Sequence, residues 1–464
     1  MRKSIFFIGL TVVICNAFFY GCKQTNRAKE NQHSVVSKPN LIVIMADDLG
    51  YADVGFNGCK DIPTPNIDRI AENGVVCTNA YTTYSVCSPS RAGFITGRYP
   101  QRFGYERNVQ YRVNDPEMGL SKEETTLASF LNQAGYKSGV IGKWHLGAHI
   151  SNHPLNRGFT EFYGHLGGGH RYFPEELTIE DSYAAVDEPQ SYRTWIMRNH
   201  KPEKTDEYLT DEFSNEAVKF VEKYKDEPFF LYLSFNAPHA PLQATEKYLS
   251  RFPDIANTKR KTYAAMVSAV DDGVGRVMNK LVELGIEENT MVIFLSDNGG
   301  PETKNASDNG VLREGKSSVY EGGFRVPFAI QYKARLSKGI YNNPVSAMDI
   351  YATMAALTNT PTNSEKPLDG VNLIPFLSGQ NKGIPHKTIY LRKYDQQRFA
   401  VRNGDYKLVT LNDGKVKELY NLKNDIGEKN NIIEQLPKVA EQIDTLRSQW
   451  NKELIDPVFL GLIH

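Results

Sequence analysis

The sequence has no excess of charge of either sign: 54 lysines and arginines are matched by 54 aspartates and glutamates over 464 residues. That excludes broad nucleic-acid binding, which needs a basic surface, and leaves room only for a local basic pocket. It also lacks a long apolar run. Ile5 to Tyr20 is the longest, and its about 16 residues fall short of a spanning helix. No internal repeat and no low-complexity segment is present. Cysteine is scarce, five in all. Tyrosine and phenylalanine are plentiful, and the length is enough to bury a large core and predicts two domains.

The first residues read as a leader. Arg2 and Lys3 precede the apolar stretch, and Gly21-Cys22 resembles a bacterial lipobox, with cleavage before Cys22 and lipid on that cysteine. An ordinary cleaved signal or an uncleaved anchor is the alternative. Residues 1–21 are then a signal peptide and 22–38 a polar tether. The expected location is exported, periplasmic or outer-membrane, with the lipid as the only contact with the membrane.

Apolar, β-branched runs predict buried strands at Asn40 to Ala46, Lys137 to Ile141, Phe229 to Phe235, Thr290 to Leu295 and Val326 to Tyr332. Between them, periodic stretches bounded by Pro, Thr and Gly predict helices at Asn66 to Asn73, Thr125 to Ala134, Asp206 to Tyr224, Thr262 to Leu284 and Ser346 to Leu357. Gly158 to Phe173 and Glu314 to Phe324 read as loops. This alternation is an α/β pattern: a mostly parallel sheet covered by helices on both faces, over residues 39–383. From 384 to 464 the texture changes. Four short runs, Thr388 to Leu391, Gln397 to Arg402, Tyr406 to Leu411 and Glu418 to Asn421, predict an antiparallel meander closed by a helix from Leu436 to Leu454.

Open α/β sheets place their sites at the carboxyl ends of the strands. There stand Asp47-Asp48, Asp297-Asn298 and, after the second strand, Gly142-Lys143-Trp144-His145. If that last segment is extended, Lys143 and His145 point to one side. Three carboxylates gathered at ~4 Å repel by roughly 4 kcal/mol per pair at an effective dielectric near 20, so something positive must hold them. All-oxygen ligands suit Ca²⁺ or Mg²⁺. Cys87, just before Ser88-Pro89, is expected at a helix N-terminus that attracts an anion, with Arg91 one turn along and Gly97 as the stop.

Cys87-Ser88-Pro89-Ser90-Arg91, followed by Thr96-Gly97-Arg98, resembles the signature of the type I sulfatases. Asp47-Asp48, Gly142 to Gly147, Ala237-Pro238-His239-Ala240-Pro241, Asp297 to Gly300 and Arg313 to Gly323 match further family motifs, in family order. The resemblance implies an alkaline-phosphatase-like fold and sulfate-ester hydrolysis. Cys87 would be oxidised by a formylglycine-generating maturation enzyme, and the hydrated aldehyde would be the nucleophile. One Ca²⁺ would lie on Asp47, Asp48, residue 87, Asp297 and Asn298. Arg91, Lys143 and Lys316 would clamp the sulfate. His239, helped by Lys316, would protonate the leaving alcohol, and His145 would act as the base that expels sulfate. The expected substrate is a sulfated carbohydrate. In Gly167 to Tyr172, His170 or Arg171 is a candidate substrate contact, with a structural glycine loop as the equal alternative. Cys59 and Cys77 are then the cysteines left over, and an exported compartment permits a disulfide between them.

Two other readings compete. A phosphatase or phosphodiesterase of the related fold would want two zinc ions with histidine ligands, but Asn298 follows Asp297, and Cys87 replaces Ser or Thr. A non-catalytic glycan-binding lipoprotein is what remains if Cys87 is never oxidised.

Overall fold

The computed structural model describes Met1 and residues 38–177 and 194–459. The leader, the lipobox and the tether lie outside the described residues. From Lys38 onward the described residues form one compact unit.

Four strands carry the site: β1 (Asn40–Ala46), β2 (Lys137–Lys143), β3 (Phe229–Ser234) and β4 (Thr290–Ser296). They are neighbours in the order β4-β1-β3-β2 inside a ten-stranded sheet, and all run parallel. Register brings their ends level: Ala46 is opposite Ser296, Met45 opposite Ser234, and Ser234 opposite Gly142. Asp47 and Asp297, the residues after β1 and β4, therefore enter the same space as Lys143 at the end of β2.

Every residue of β1 is buried, as a strand covered on both faces requires. Leu41, Val43 and Met45 pack toward Ala92, Phe94, Leu127 and Leu131. Ile42, Ile44 and Ala46 pack the other way, with Phe213, Tyr263, Met266 and Val270. The first face is covered by α1 (Cys87–Thr96) and the helix Leu127–Gln133. The second is covered by Leu209–Lys223 and the long α2 (Thr258–Glu283). No helix among the described residues is long and apolar enough to cross a membrane.

At its flanks the mostly parallel sheet becomes mixed. Phe328–Gln331 pairs antiparallel with β4, and Val75–Cys77 pairs antiparallel with it in turn. A buried apolar run has no direction in its composition. Inside the stretch read as a glycine- and histidine-rich loop, Glu161–His165 is a strand parallel to β2.

The C-terminal meander forms as expected: β5 (Thr388–Lys393), Arg398–Asn403, Tyr406–Leu411 and Val416–Asn421, antiparallel throughout. One face packs under α3 (Pro437–Asn451) through Val401, Leu408, Leu419, Ala440 and Ile443. The other packs on Tyr81, Tyr84, Val86 and Phe324, the segments that lead into Cys87 and follow Lys316. Between these layers Lys407 is wholly buried, 2.9 Å from Glu321 and 2.8 Å from Glu428. Cys59 and Cys77 are free thiols.

Candidate active site

The strand ends deliver the carboxylates together. Oxygens of Asp47, Asp48 and Asp297 and the sulfur of Cys87 all lie within 4.8 Å of one another, and all four residues are buried. Asp48 sits in left-handed backbone (φ 64), and its N–H donates to Asp297 Oδ1 at 3.2 Å. A non-glycine residue there costs energy that the surroundings must hold, a common feature of functional sites. Asn298 Nδ2 donates to Asp48 Oδ1 at 2.8 Å. The Asp297 to Gly300 turn docks on the Glu321 to Gly323 turn so closely that a Cβ on Gly299 would land 1.7 Å from the Gly322 carbonyl oxygen.

Each carboxylate already faces a cation. Lys143 Nζ is 2.6 Å from Asp47 Oδ2, Lys316 Nζ is 2.6 Å from Asp48 Oδ1, and Arg91 Nη2 is 2.8 Å from Asp297 Oδ2. These cations, expected on the sulfate, thus also balance the carboxylates. Burial and the Asp297 charge push Asp47 up to about 7. Against the cost of burial, Lys316 and His239 hold Asp48 below its usual range, and Arg91, Lys143 and Lys316 hold Asp297 well below it.

The residues fit a divalent cation. Asn298 Oδ1 is buried with no hydrogen-bond partner, an arrangement that costs about 1–3 kcal/mol unless something positive satisfies it. The remaining donors are hard carboxylate oxygens, the set Ca²⁺ and Mg²⁺ prefer. Three carboxylates balance three cationic side chains, so an added dication leaves the pocket net positive, the right sign for an anion.

Cys87 opens α1 and is 1% exposed. Lys316 Nζ stands 3.1 Å from its Sγ, and Asp47 Oδ1 is 3.4 Å away. Gly97 ends the helix in left-handed backbone (φ 68), as expected. The helix start offers less than expected to an anion. Ser88 donates its N–H to Asn108 Oδ1 at 2.9 Å, and Pro89 has none to give. The positive charge on this side comes from side chains.

His239 donates Nδ1–H to the Ala240 carbonyl at 2.6 Å, which leaves Nε2 on the side of Asp48, 3.6 Å from Oδ2. Burial, with Lys316 and Lys143 nearby, pushes it down to about 3. His145 lies past the end of β2 in left-handed backbone (φ 56), so strand alternation does not place it. Ser88 Oγ holds its carbonyl at 2.6 Å instead. Burial and the charges of Lys143, Arg91 and Lys316 keep its ring neutral, and its Nδ1 is buried without a hydrogen-bond partner.

The glycine loop packs on the His145 ring. A Cβ on Gly168 would come 2.8 Å from His145 Cε1 and Nε2. Gly168→Ala is therefore expected to displace the ring and lower kcat by about 10- to 100-fold, with KM little changed. Steady-state kinetics check this; an unaltered kcat removes the loop from the site. His170 turns inward to the Arg171 and Thr194 carbonyls, at 2.9 and 2.6 Å, and Arg171 pairs with Glu176 at 2.7 Å, contacts of the kind a structural loop makes.

A cavity of about 690 Å³ opens over the site, lined by Asp48, Asn108, His239, Lys304, Lys316 and Ser317 among others. Asn108, Lys304 and Ser317 were not picked out from the sequence. Asn108 and Lys304 sit in no motif, and only the fold brings them to this rim; Ser317 lies within the Arg313 to Gly323 motif, beside Lys316.

The family described as Sulfatase matches residues 39–360, and that described as N-sulphoglucosamine sulphohydrolase, C-terminal, matches 315–455. Arylsulfatase H of Homo sapiens is 32% identical, with 76% of this chain and 75% of the relative covered. N-acetylgalactosamine-6-sulfatase of Mus musculus is 33% identical over 80% of this chain and 71% of its own. Among solved structures, Ps i-CgsB in complex with k-i-k-neocarrahexaose superposes with a TM-score of 0.85 at 38% identity, covering 91% of this chain and 94% of that one.

Proposed function

The chain belongs to the sulfatase family, and we propose that it hydrolyses sulfate esters of carbohydrates through a formylglycine made from Cys87 and one bound calcium ion. The observation that carries this reading is the position of Cys87 Sγ, between the three-aspartate cluster and the Lys316 ammonium. The encoded thiol is a poor nucleophile there: burial outweighs Lys143 and Lys316 and pushes it far above its ordinary range. Oxidised to formylglycine by a maturation enzyme, residue 87 would supply a hydrated aldehyde as the nucleophile toward sulfur. Asp47, Asp48, Asp297 and Asn298 would hold the calcium ion, which supplies positive charge at the sulfate.

Lys143 and Lys316 reach from opposite carboxylates toward residue 87 and bind the sulfate oxygens. Arg91, wholly buried, fixes Asp297. His239 Nε2 and Lys316 are the proton donors on the leaving-group side. The neutral His239 ring gains its proton when an anion enters beside it. His145 Nδ1, buried without a hydrogen-bond partner, is the base that takes a proton from residue 87 as sulfate departs.

The saccharide in the Ps i-CgsB complex and the amino sugar named in the mouse relative support a sulfated glycan as substrate. The charged and apolar segment Arg2 to Tyr20, with Gly21-Cys22, supports export.

Two measurements test the reading. Sulfate release is followed over a panel that includes sulfated galactan oligosaccharides and 6-sulfated N-acetylgalactosamine, against phosphate release from matched monoesters. Sulfate release with Ca²⁺, at least about 100-fold faster than phosphate release, is expected. Faster phosphate release that rises with Zn²⁺ would show a phosphatase instead. Mass spectrometry of the Cys87 peptide is expected to show the aldehyde, and an unmodified thiol in active enzyme defeats the nucleophile assignment.

A further inference from the structure

Lys393, the last residue of β5, is 6% exposed. Its Nζ donates to the Ser317 carbonyl at 2.6 Å, and it forms no ion pair with a carboxylate among the described residues. Burial and Arg398 push it down to about 8. An ammonium buried without a paired carboxylate is costly to keep. What it holds is the backbone next to Lys316.

Ser317 stands in left-handed backbone (φ 72), and its N–H donates to the Ser85 carbonyl at 2.7 Å. Ser85 is two residues before Cys87. The Ser317 residue is thus tied at its N–H to the strand-to-helix turn that carries Cys87, and at its carbonyl to the C-terminal sheet. Lys316, whose Nζ lies 3.1 Å from Cys87 Sγ, hangs from that tied backbone. Neighbours of Lys393 brace the other side of α1. Arg392 Nε donates to Glu106 Oε1 at 2.9 Å, and Arg107 Nε donates to Asp395 Oδ2 at 2.6 Å. Asn108, next along, caps the Ser88 N–H.

We infer that Lys393 is a positioning residue: by gripping the Ser317 carbonyl it aims the Lys316 ammonium at residue 87, so the C-terminal sheet sets part of the catalytic geometry. The inference deepens the sulfatase reading and rests on it for its kinetic consequence.

Lys393→Met keeps an unbranched side chain of similar length and removes the donor; Lys393→Arg restores one. The first readout needs no turnover: acetylation of intact protein by acetic anhydride, with each lysine followed by mass spectrometry. In Lys393→Met, Lys316 is expected to react about five-fold or more faster, with buried Lys407 of the same sheet unchanged and Lys393→Arg near wild type. The second readout is kinetic: kcat falls about tenfold, KM shifts less than about threefold, and Lys393→Arg recovers most of the loss. Unchanged Lys316 labelling in Lys393→Met overturns the inference, and so does a matching rise at Lys407, which would mean general loosening. If the wild-type enzyme releases no sulfate, the sulfatase reading fails, while the labelling still decides the role of Lys393.

Discussion

Cys87→Ala is expected to lower sulfate release by about 10⁴-fold or more, a loss of about 5 kcal/mol of transition-state stabilisation. The substitution removes the atom on which the reaction depends and leaves the clamp standing. Lys316 keeps Asp48 at 2.6 Å, Lys143 keeps Asp47 at 2.6 Å, and Arg91 keeps Asp297. Binding should therefore survive, with inorganic sulfate or a sulfated saccharide retained within about tenfold of wild type. The fold should hold as well, because truncating one small buried side chain costs about 1 kcal/mol. Activity and calorimetry on the same preparation check both halves. Substantial turnover by this variant would end the covalent mechanism.

Asp297→Ala has a different signature, because Asp297 holds both Arg91 and the proposed ion. Without it, the guanidinium is wholly buried with Asp47 as its nearest carboxylate, at 3.6 Å. Breaking a buried pair from one side costs about 3–5 kcal/mol, so the variant should unfold at clearly lower denaturant. Loss of one of three carboxylates should also weaken Ca²⁺ binding by about 100-fold or more. Asp297→Asn keeps the volume and separates the two effects: its stability should lie between wild type and alanine, with calcium affinity still low. Titration calorimetry of the folded variants is the check. Wild-type affinity in Asp297→Asn would remove this residue from the ligand set.

Much of this site was legible before any coordinates. Asp47-Asp48 and Asp297-Asn298 each follow a continuous apolar run, and such runs mark central strands whose ends meet. Pro89 and Gly97 bracket α1, which places Cys87 at its start. The unread parts are those that depend on partners far along the chain. Phe328–Gln331 is a buried apolar run whose composition does not set its direction, and it pairs antiparallel with β4. Glu161–His165 is too short and too polar to stand out, and is recruited by β2. That Asn108 takes the Ser88 N–H, or that Lys393 reaches Ser317, follows from contacts spanning 20 and 76 residues. The pairing of each aspartate with its own cation is a matter of three-dimensional balance, which no local motif encodes.

The wholly buried Lys407, set between Glu321 and Glu428, has a consequence for how such chains can be recombined. Glu321 belongs to the segment that carries Lys316, whereas Lys407 and Glu428 come from the last sheet and its following loop. A crossover between two relatives near residue 383 would join a carboxylate from one parent to an ammonium from the other, in a place water does not reach. Chimaeras should therefore tolerate that junction only where both parents carry the same three charges, so the two portions of the chain must be exchanged as matched halves.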